Sequence, residues 1–297
     1  DQRYYAEFNF GYNGSERFHK DNRYGFFPSF GLAWSVSNEN FWESLKNTIN
    51  NFRIRYTYGF VGNDEIGSSG ERFFYLSDVN ISNSDRAFSF GKESNVRKSG
   101  ISVRNYENPG VTWETSEKNN LAFELSLFRK VNITADFFTE KRSSILMSRA
   151  DVPITMGLTA PVKANIGEAT GKGFEVSTDA SHSFNKNMWL QLRGNFTYAT
   201  NGYSIYEEPL YDNEWWLTRV GYSLSQPRGY IAERLFVDDN EVQNSPRQFG
   251  SINVAGDIKY KDVNKDGIIS TLDMVPIGLP TIPEIIYGFG FSYGYKG

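Results

Sequence analysis

Residues 285–295 read IIYGFGFSYGY. Ile285, Tyr287, Phe289, Phe291, Tyr293 and Tyr295 fall on one face, and Gly288, Gly290, Ser292 and Gly294 on the other. A period of two is the mark of a β-strand. Large rings on one face and almost nothing on the other make this stretch decide the fold, and the same alternation recurs along the chain. In RYYAEFNFGY (3–12), Tyr4, Ala6, Phe8, Phe10 and Tyr12 oppose Arg3, Glu7, Asn9 and Gly11. In FRIRYTYGF (52–60), Phe52, Ile54, Tyr56, Tyr58 and Phe60 oppose Arg53, Arg55, Thr57 and Gly59. In WLQLRGNFTY (189–198), Leu190, Leu192, Phe196 and Tyr198 oppose Gln191, Arg193, Asn195 and Thr197. Similar runs cover 26–36, 119–128, 131–140 and 173–184.

This predicts an all-β, antiparallel chain with about eight strands, each near the roughly 9–11 residues that cross a bilayer at a tilt. Composition agrees: aromatics are 16% of 297 residues, yet mean hydropathy is −0.50, as interleaved apolar and polar residues require. Rings near strand ends suit membrane interfaces, and mid-strand Arg, Glu and Asp on the other face suit a wet lumen. There is no run of about 18 apolar residues for a membrane helix. With no Cys, disulfides and thiolate sites are excluded. A net charge of −4 gives no footprint for nucleic acid.

Connection lengths alternate. RKVN (129–132) and NKN (185–187) make tight joins; long joins follow the third, fifth and seventh strands, the last running from about Asn201 to Pro283. Barrels of the outer membrane show this alternation, short turns inside and long loops outside. The exception is SNENFWESLKNTIN (37–50), where Phe41, Trp42, Leu45 and Ile49 at helical spacing predict a small interfacial helix.

Residues 262–273 read DVNKDGIISTLD, with Asp262, Asn264 and Asp266 at calcium-loop positions 1, 3 and 5, Gly267 at 6 and Asp273 at 12. A structural Ca2+ would take side-chain oxygens from those residues, the Ile268 carbonyl, and Ser270 directly or through water. It would stiffen a long loop. The same Asp, Asn and Gly content also serves a plain turn through Asx-turns. The two histidines, His19 and His182, fall on opposite sides of the expected membrane, so no His-centred catalytic or zinc site is expected and the chain reads as no enzyme.

Five stretches together, GYNGSERFHKDNRYGFFPSFGLAWSVSNENFW, INNFRIRYTYGFVGN, ENPGVTWETSEKNNLAFELSLF, NIGEATGKGFEVSTDASHSF and DVNKDGIISTLDMVPIGLPTIPEIIYGFGFSYGYKG, resemble, in order, the barrel of SusC-like TonB-dependent outer-membrane transporters of Bacteroidetes. The resemblance implies part of one barrel domain of about 22 strands, without the plug domain and TonB-contacting segment, in the outer membrane and bathed by its lipids. It also implies active import of glycans or peptides beneath a SusD-like surface lipoprotein, driven by the TonB complex. In that setting Tyr211, Trp215 and Trp216, in the longest outer loop, either contact sugar substrate or lid, or form the core of a folded loop. The Gly288, Gly290 and Gly294 face would stay small for the plug. Arg53, Arg55 and Arg193 would guide an anionic substrate or pair with plug or strand carboxylates. Two rival readings stay open: a small closed eight-stranded passive, structural or adhesion barrel, and a soluble all-β enzyme or sugar-binding sandwich.

Overall fold

The structure, a computed structural model, describes residues 2–67, 72–250 and 252–296. In chain order it contains β1 (Tyr4–Gly14), β2 (Tyr24–Ser35), β3 (Ile49–Asn63), β4 (Asp78–Phe90), β5 (Val96–Asn105), β6 (Glu114–Leu127), β7 (Val131–Ser148), β8 (Lys163–Asn185) and β9 (Met188–Ile205). Short β10 (Arg228–Gly229), β11 (Ala232–Leu235), α1 (Asp239–Gln243), β12 (Ile258–Tyr260) and β13 (Val275–Pro276) follow, then β14 (Ile285–Tyr295). Eight strands form one antiparallel sheet in the order β1-β2-β3-β6-β7-β8-β9-β14. They are the eight runs read from alternation.

Following the register sideways from Ala6 gives Leu32, Tyr56, Leu121, Phe137, Phe174, Tyr198 and Ile285, one apolar residue per strand. From Tyr4 the row is Trp34, Ile54, Phe123, Ala135, Val176, Phe196 and Tyr287. The opposite face carries Ser35, Arg53, Glu124, Thr134, Ser177, Asn195 and Gly288, a row without an apolar side chain. Phe8, Tyr287 and Phe289 are 65%, 72% and 87% exposed. Among the described residues no second layer covers this face, so the sheet is not half of a sandwich, whose inner rings would be buried. An apolar surface this continuous is stable only against an apolar solvent.

The apolar band runs obliquely across the strands. On β1 its middle is Phe8, whose row ends on β9 at Thr200. On β14 its middle is near Gly290, which pairs with Arg193. The band thus slides by about seven residues, or roughly 23 Å at ~3.3 Å per residue, across seven strand spacings of ~4.8 Å. The slope is about 35°, inside the tilt of roughly 35–45° of membrane barrels. Strand tilt is therefore written in the side chains themselves.

β1 and β14 each have a single neighbour, so the sheet is open. The self-closed eight-stranded alternative fails on that point: bare edge N–H and C=O groups have no partners in hydrocarbon. The strands are also longer than a bilayer demands: β7 has 18 residues, β8 23 and β9 18.

The tight joins lie where expected. Phe128–Lys130 links β6 to β7, with Phe128 and Arg129 at φ +53° and +56°, the left-handed pair that a two-stranded right-twisted hairpin favours. Lys186 and Asn187 link β8 to β9, and the Asn187 N–H donates to Asn185 Oδ1 at 2.9 Å. Between β2 and β3, residues Val36–Asn38 and Asn40–Leu45 form two short 3-10 turns in place of the expected α-helix. Trp42 is fixed by its indole donating to the Ile49 carbonyl at 3.1 Å, while Phe41 and Leu45 stay exposed.

At the other end the loops build a small core. Phe18, Ile66, Phe74, Val111 and Trp113 pack together, with Phe27 and Leu146 against them. The β4–β5 hairpin, absent from the sequence reading, rises from the long β3–β6 connection with three register shifts. Those shifts break the alternation that reveals a strand. Residues Glu208–Pro283 form a second compact unit inserted between β9 and β14.

Candidate functional site

The polar face of the sheet is an ion-pair lattice. Glu124 takes Arg53 at 3.5 Å and Arg55 at 3.8 Å, and Asp136 takes Arg55 at 3.5 Å. Arg53 also donates to Ser35 Oγ at 3.2 Å, and Asn120 donates to Asp136 at 2.9 Å. Nearer the β8–β9 turn, Asp179 accepts from Arg193 and Gln191, both at 3.2 Å. The arginines are thus held by carboxylates of the wall's own strands. Each half-exposed pair is worth little alone; together they fix a charged but balanced surface. A shallow recess of about 560 Å³ includes Thr134, Ser177, Asp179, Asn195, Gly288 and Gly290 in its lining. A methyl added at Gly288 would stand 2.6 Å from Asn195 Oδ1, and one at Gly294 2.2 Å from Trp189 Nε1. Two of the three glycines are therefore small because neighbouring strands lay side chains over them; at Gly290 nothing lies within 4 Å.

The unit 208–283 is held mainly by side chains serving backbone. Trp216 is 9% exposed, and its indole donates to the Leu272 carbonyl at 2.9 Å. The Arg228 guanidinium donates to the carbonyls of Trp216 and Thr218. Tyr230, Phe249 and Tyr260 form a ring cluster with centroids 4.8–5.5 Å apart. Glu241 accepts the Val237 N–H at 3.0 Å, pairs with Arg234, and takes Lys259 at 3.0 Å. The backbone N–H first, then the two cations, hold its carboxyl down at about 2.

Residues 262–273 curl as their spacing implies. Asp262 accepts from the N–H groups of Lys265 (2.7 Å) and Gly267 (2.8 Å), Asn264 from Asp266 (3.1 Å), and Asp266 from Ile268 (2.8 Å). Gly267 sits at φ +85°, where a side chain is costly. Asp273 is fully buried and accepts from Val263 (2.8 Å), Asn264 (3.3 Å) and Ser270 (2.8 Å). Ser270 caps the short turn that follows. The oxygen donors suit a hard cation; among the described residues no three His, Cys, Asp or Glu cluster as a metal site, so the set here mixes carboxylates with amide, carbonyl and hydroxyl oxygens. Of the aromatic trio, Trp216 is interior and not available for contact. Trp215 is 66% exposed, and Tyr211 is half-buried. Trp113 belongs to the loop core.

Comparison with known proteins gives a consistent result. The model of the family described as TonB dependent receptor-like, beta-barrel matches residues 3–295. TonB-dependent receptor P3 of Formosa agariphila is 27% identical over 296 residues, 96% of this chain and 28% of that protein. TonB-dependent receptor SusC of Bacteroides thetaiotaomicron is 28% identical over 202 residues, 67% of this chain and 19% of that protein. Among solved structures, the RagAB peptide importer in its open-open state superposes with a TM-score of 0.70 at 21% identity, covering all of this chain and 30% of that one. Its closed-closed state gives 0.69 at 20% identity. At that identity the likeness shows the fold. The chain spans under a third of the length of these relatives.

Proposed function

Because this chain belongs to the TonB dependent receptor-like, beta-barrel family of outer-membrane proteins, we propose that it is barrel wall and outer loops of an active importer. The imported solute is an oligosaccharide or a peptide. Import is completed by a SusD-like lipoprotein lid and energised through TonB, by way of a plug domain elsewhere in the longer protein. The observation that carries this reading is the open sheet with apolar rows outside and ion-paired rows inside, at a barrel's slant. A wall of this kind performs no chemistry. It confines a wet passage and presents loops, and its balanced polar face lets a solute pass without a deep electrostatic trap.

The test is uptake by cells carrying the full-length protein. Saturable uptake that stops when the proton gradient is collapsed, and that needs a co-purifying lipoprotein, is the expected result. Uptake that survives gradient collapse would mean a passive pore instead.

Two finer assignments belong to the same proposal. Trp215 and Tyr211 are the residues of unit 208–283 offered to substrate or lid. Ca2+ in loop 262–273, with Asp262, Asn264, Asp266, Ile268, Ser270 and Asp273 around it, is supported by residue spacing and by the curl at Gly267. Calcium titration read by amide exchange is its test: slower exchange across 262–273, abolished by Asp266→Ala, is expected, and unchanged exchange retires the metal.

A further inference from the structure

The loop end of the wall carries a cavity of about 610 Å³ between segment 72–77 and the foot of the β4–β5 hairpin, lined among others by Arg72, Phe73, Phe74, Asp78, Arg104 and Asn105. Its floor is rigid. Phe74 is 3% exposed in the loop core, and its carbonyl accepts the Asn108 N–H at 2.8 Å. Asn105 Nδ2 donates to the Leu76 carbonyl at 3.3 Å, and Ser77 Oγ accepts the Glu107 N–H at 3.3 Å. On this floor Phe73 is held at φ +56°, a conformation that a bulky side chain adopts only when its surroundings impose it. The Phe73 ring is 37% exposed, edge-on to Tyr75 with centroids 6.1 Å apart, while Phe74 is buried in the core.

Charge gives the cavity its second feature. Two guanidinium groups, Arg72 and Arg104, and one carboxylate, Asp78, line it. The Arg104–Asp78 contact is loose, 3.8 Å with both side chains more than half exposed. Arg104 keeps most of its planar donor fork for a second oxyanion.

We propose that this cavity is an outer subsite for an acidic oligosaccharide, its carboxylate or sulfate taken by Arg104 and Arg72 and a sugar face laid on the Phe73 ring. The volume lies within the roughly 300–1,000 Å³ of small-ligand sites. A flat ring beside a cation fork suits a sugar acid, with one apolar face and one charged edge. The assignment deepens the importer reading and rests on it.

The experiment titrates the detergent-purified full-length protein with tetragalacturonate, a neutral tetrasaccharide and an acidic tetrapeptide. The acidic sugar binds tightest, and Arg104→Gln weakens it about tenfold, the worth of one charge-assisted pair. Arg72→Gln weakens it as well and serves if Arg104→Gln misfolds. Asp78→Asn strengthens binding, because it removes a competing anion. If Asp78→Asn weakens binding as Arg104→Gln does, the pair is structural and the proposal falls. It also falls if the neutral sugar or the peptide binds as well as the acidic sugar, or if nothing binds. None of these results touches the importer reading, which stands or falls on gradient-dependent uptake.

Discussion

The wall and the unit 208–283 are two ways of being stable in one chain. The wall closes its hydrogen bonds through the strand ladder and leaves its largest rings uncovered, as at Phe289 and Tyr287. The unit has almost no ladder. It closes its backbone with side chains: Asp273 takes three N–H groups, Glu241 takes one, and Arg228 serves two carbonyls. The first design tolerates substitution on its polar face and depends on the solvent outside; the second depends on single residues and hardly on the solvent.

The largest break comes from charging the apolar face near the middle of its band. Val176→Arg should destabilise the full-length barrel by about 2–4 kcal/mol, while Ser177→Arg, one residue on and facing the lumen, should cost little; denaturant unfolding in lipid vesicles measures both. Equal losses would mean that the faces are assigned wrongly. Next, Asp273→Ala should orphan three donors; with water replacing the carboxylate at most of them, the net cost should be about 1–3 kcal/mol. Hydrogen exchange should then rise across 262–273 with β8 unchanged. A smaller effect is expected from Arg55→Gln, about 1 kcal/mol or less, since its pairs are half-exposed and salt-screened. Acid provides the gentlest contrast. Glu241 has a folded value near 2, against an ordinary 4.5. Its contribution to the unit is therefore complete above pH 4.5 and lost as pH falls through 2. Exchange rates around Val237 and Glu241 should rise over that window, and Glu241→Gln should flatten the response.

The same contrast explains what was legible in the sequence. Wall strands announce themselves because a bilayer on one side and water on the other impose a period of two: β14 was readable from Tyr287, Phe289 and Phe291 alone. The β4–β5 hairpin was not, because water surrounds it and bulges such as the one at Gly100 reset its phase. The turn at Phe128–Arg129 was placed by length, although neither residue carries a glycine's signal. Trp215 and Trp216 are adjacent and chemically identical; only the fold of the loop decides that one is buried and the other shown. The 262–273 curl was legible as a shape, since Asx-turns are local. The cavity beneath the hairpin was not, since Arg72 and Arg104 are 32 residues apart and come to line one cavity only through the fold of the loops.

The extra strand length has a consequence for how the protein meets its surroundings. Outward of Phe174, the last ring of β8's apolar face, and Gly173, ten residues, Lys163–Lys172, continue the strand, with Ile166 the one large apolar side chain among them. At ~3.3 Å per residue and the slant found here, they lift the rim some ~27 Å clear of the hydrocarbon. The barrel mouth is then a parapet rather than a hole at membrane level. Molecules crowding the cell surface meet standing strand before they meet lipid.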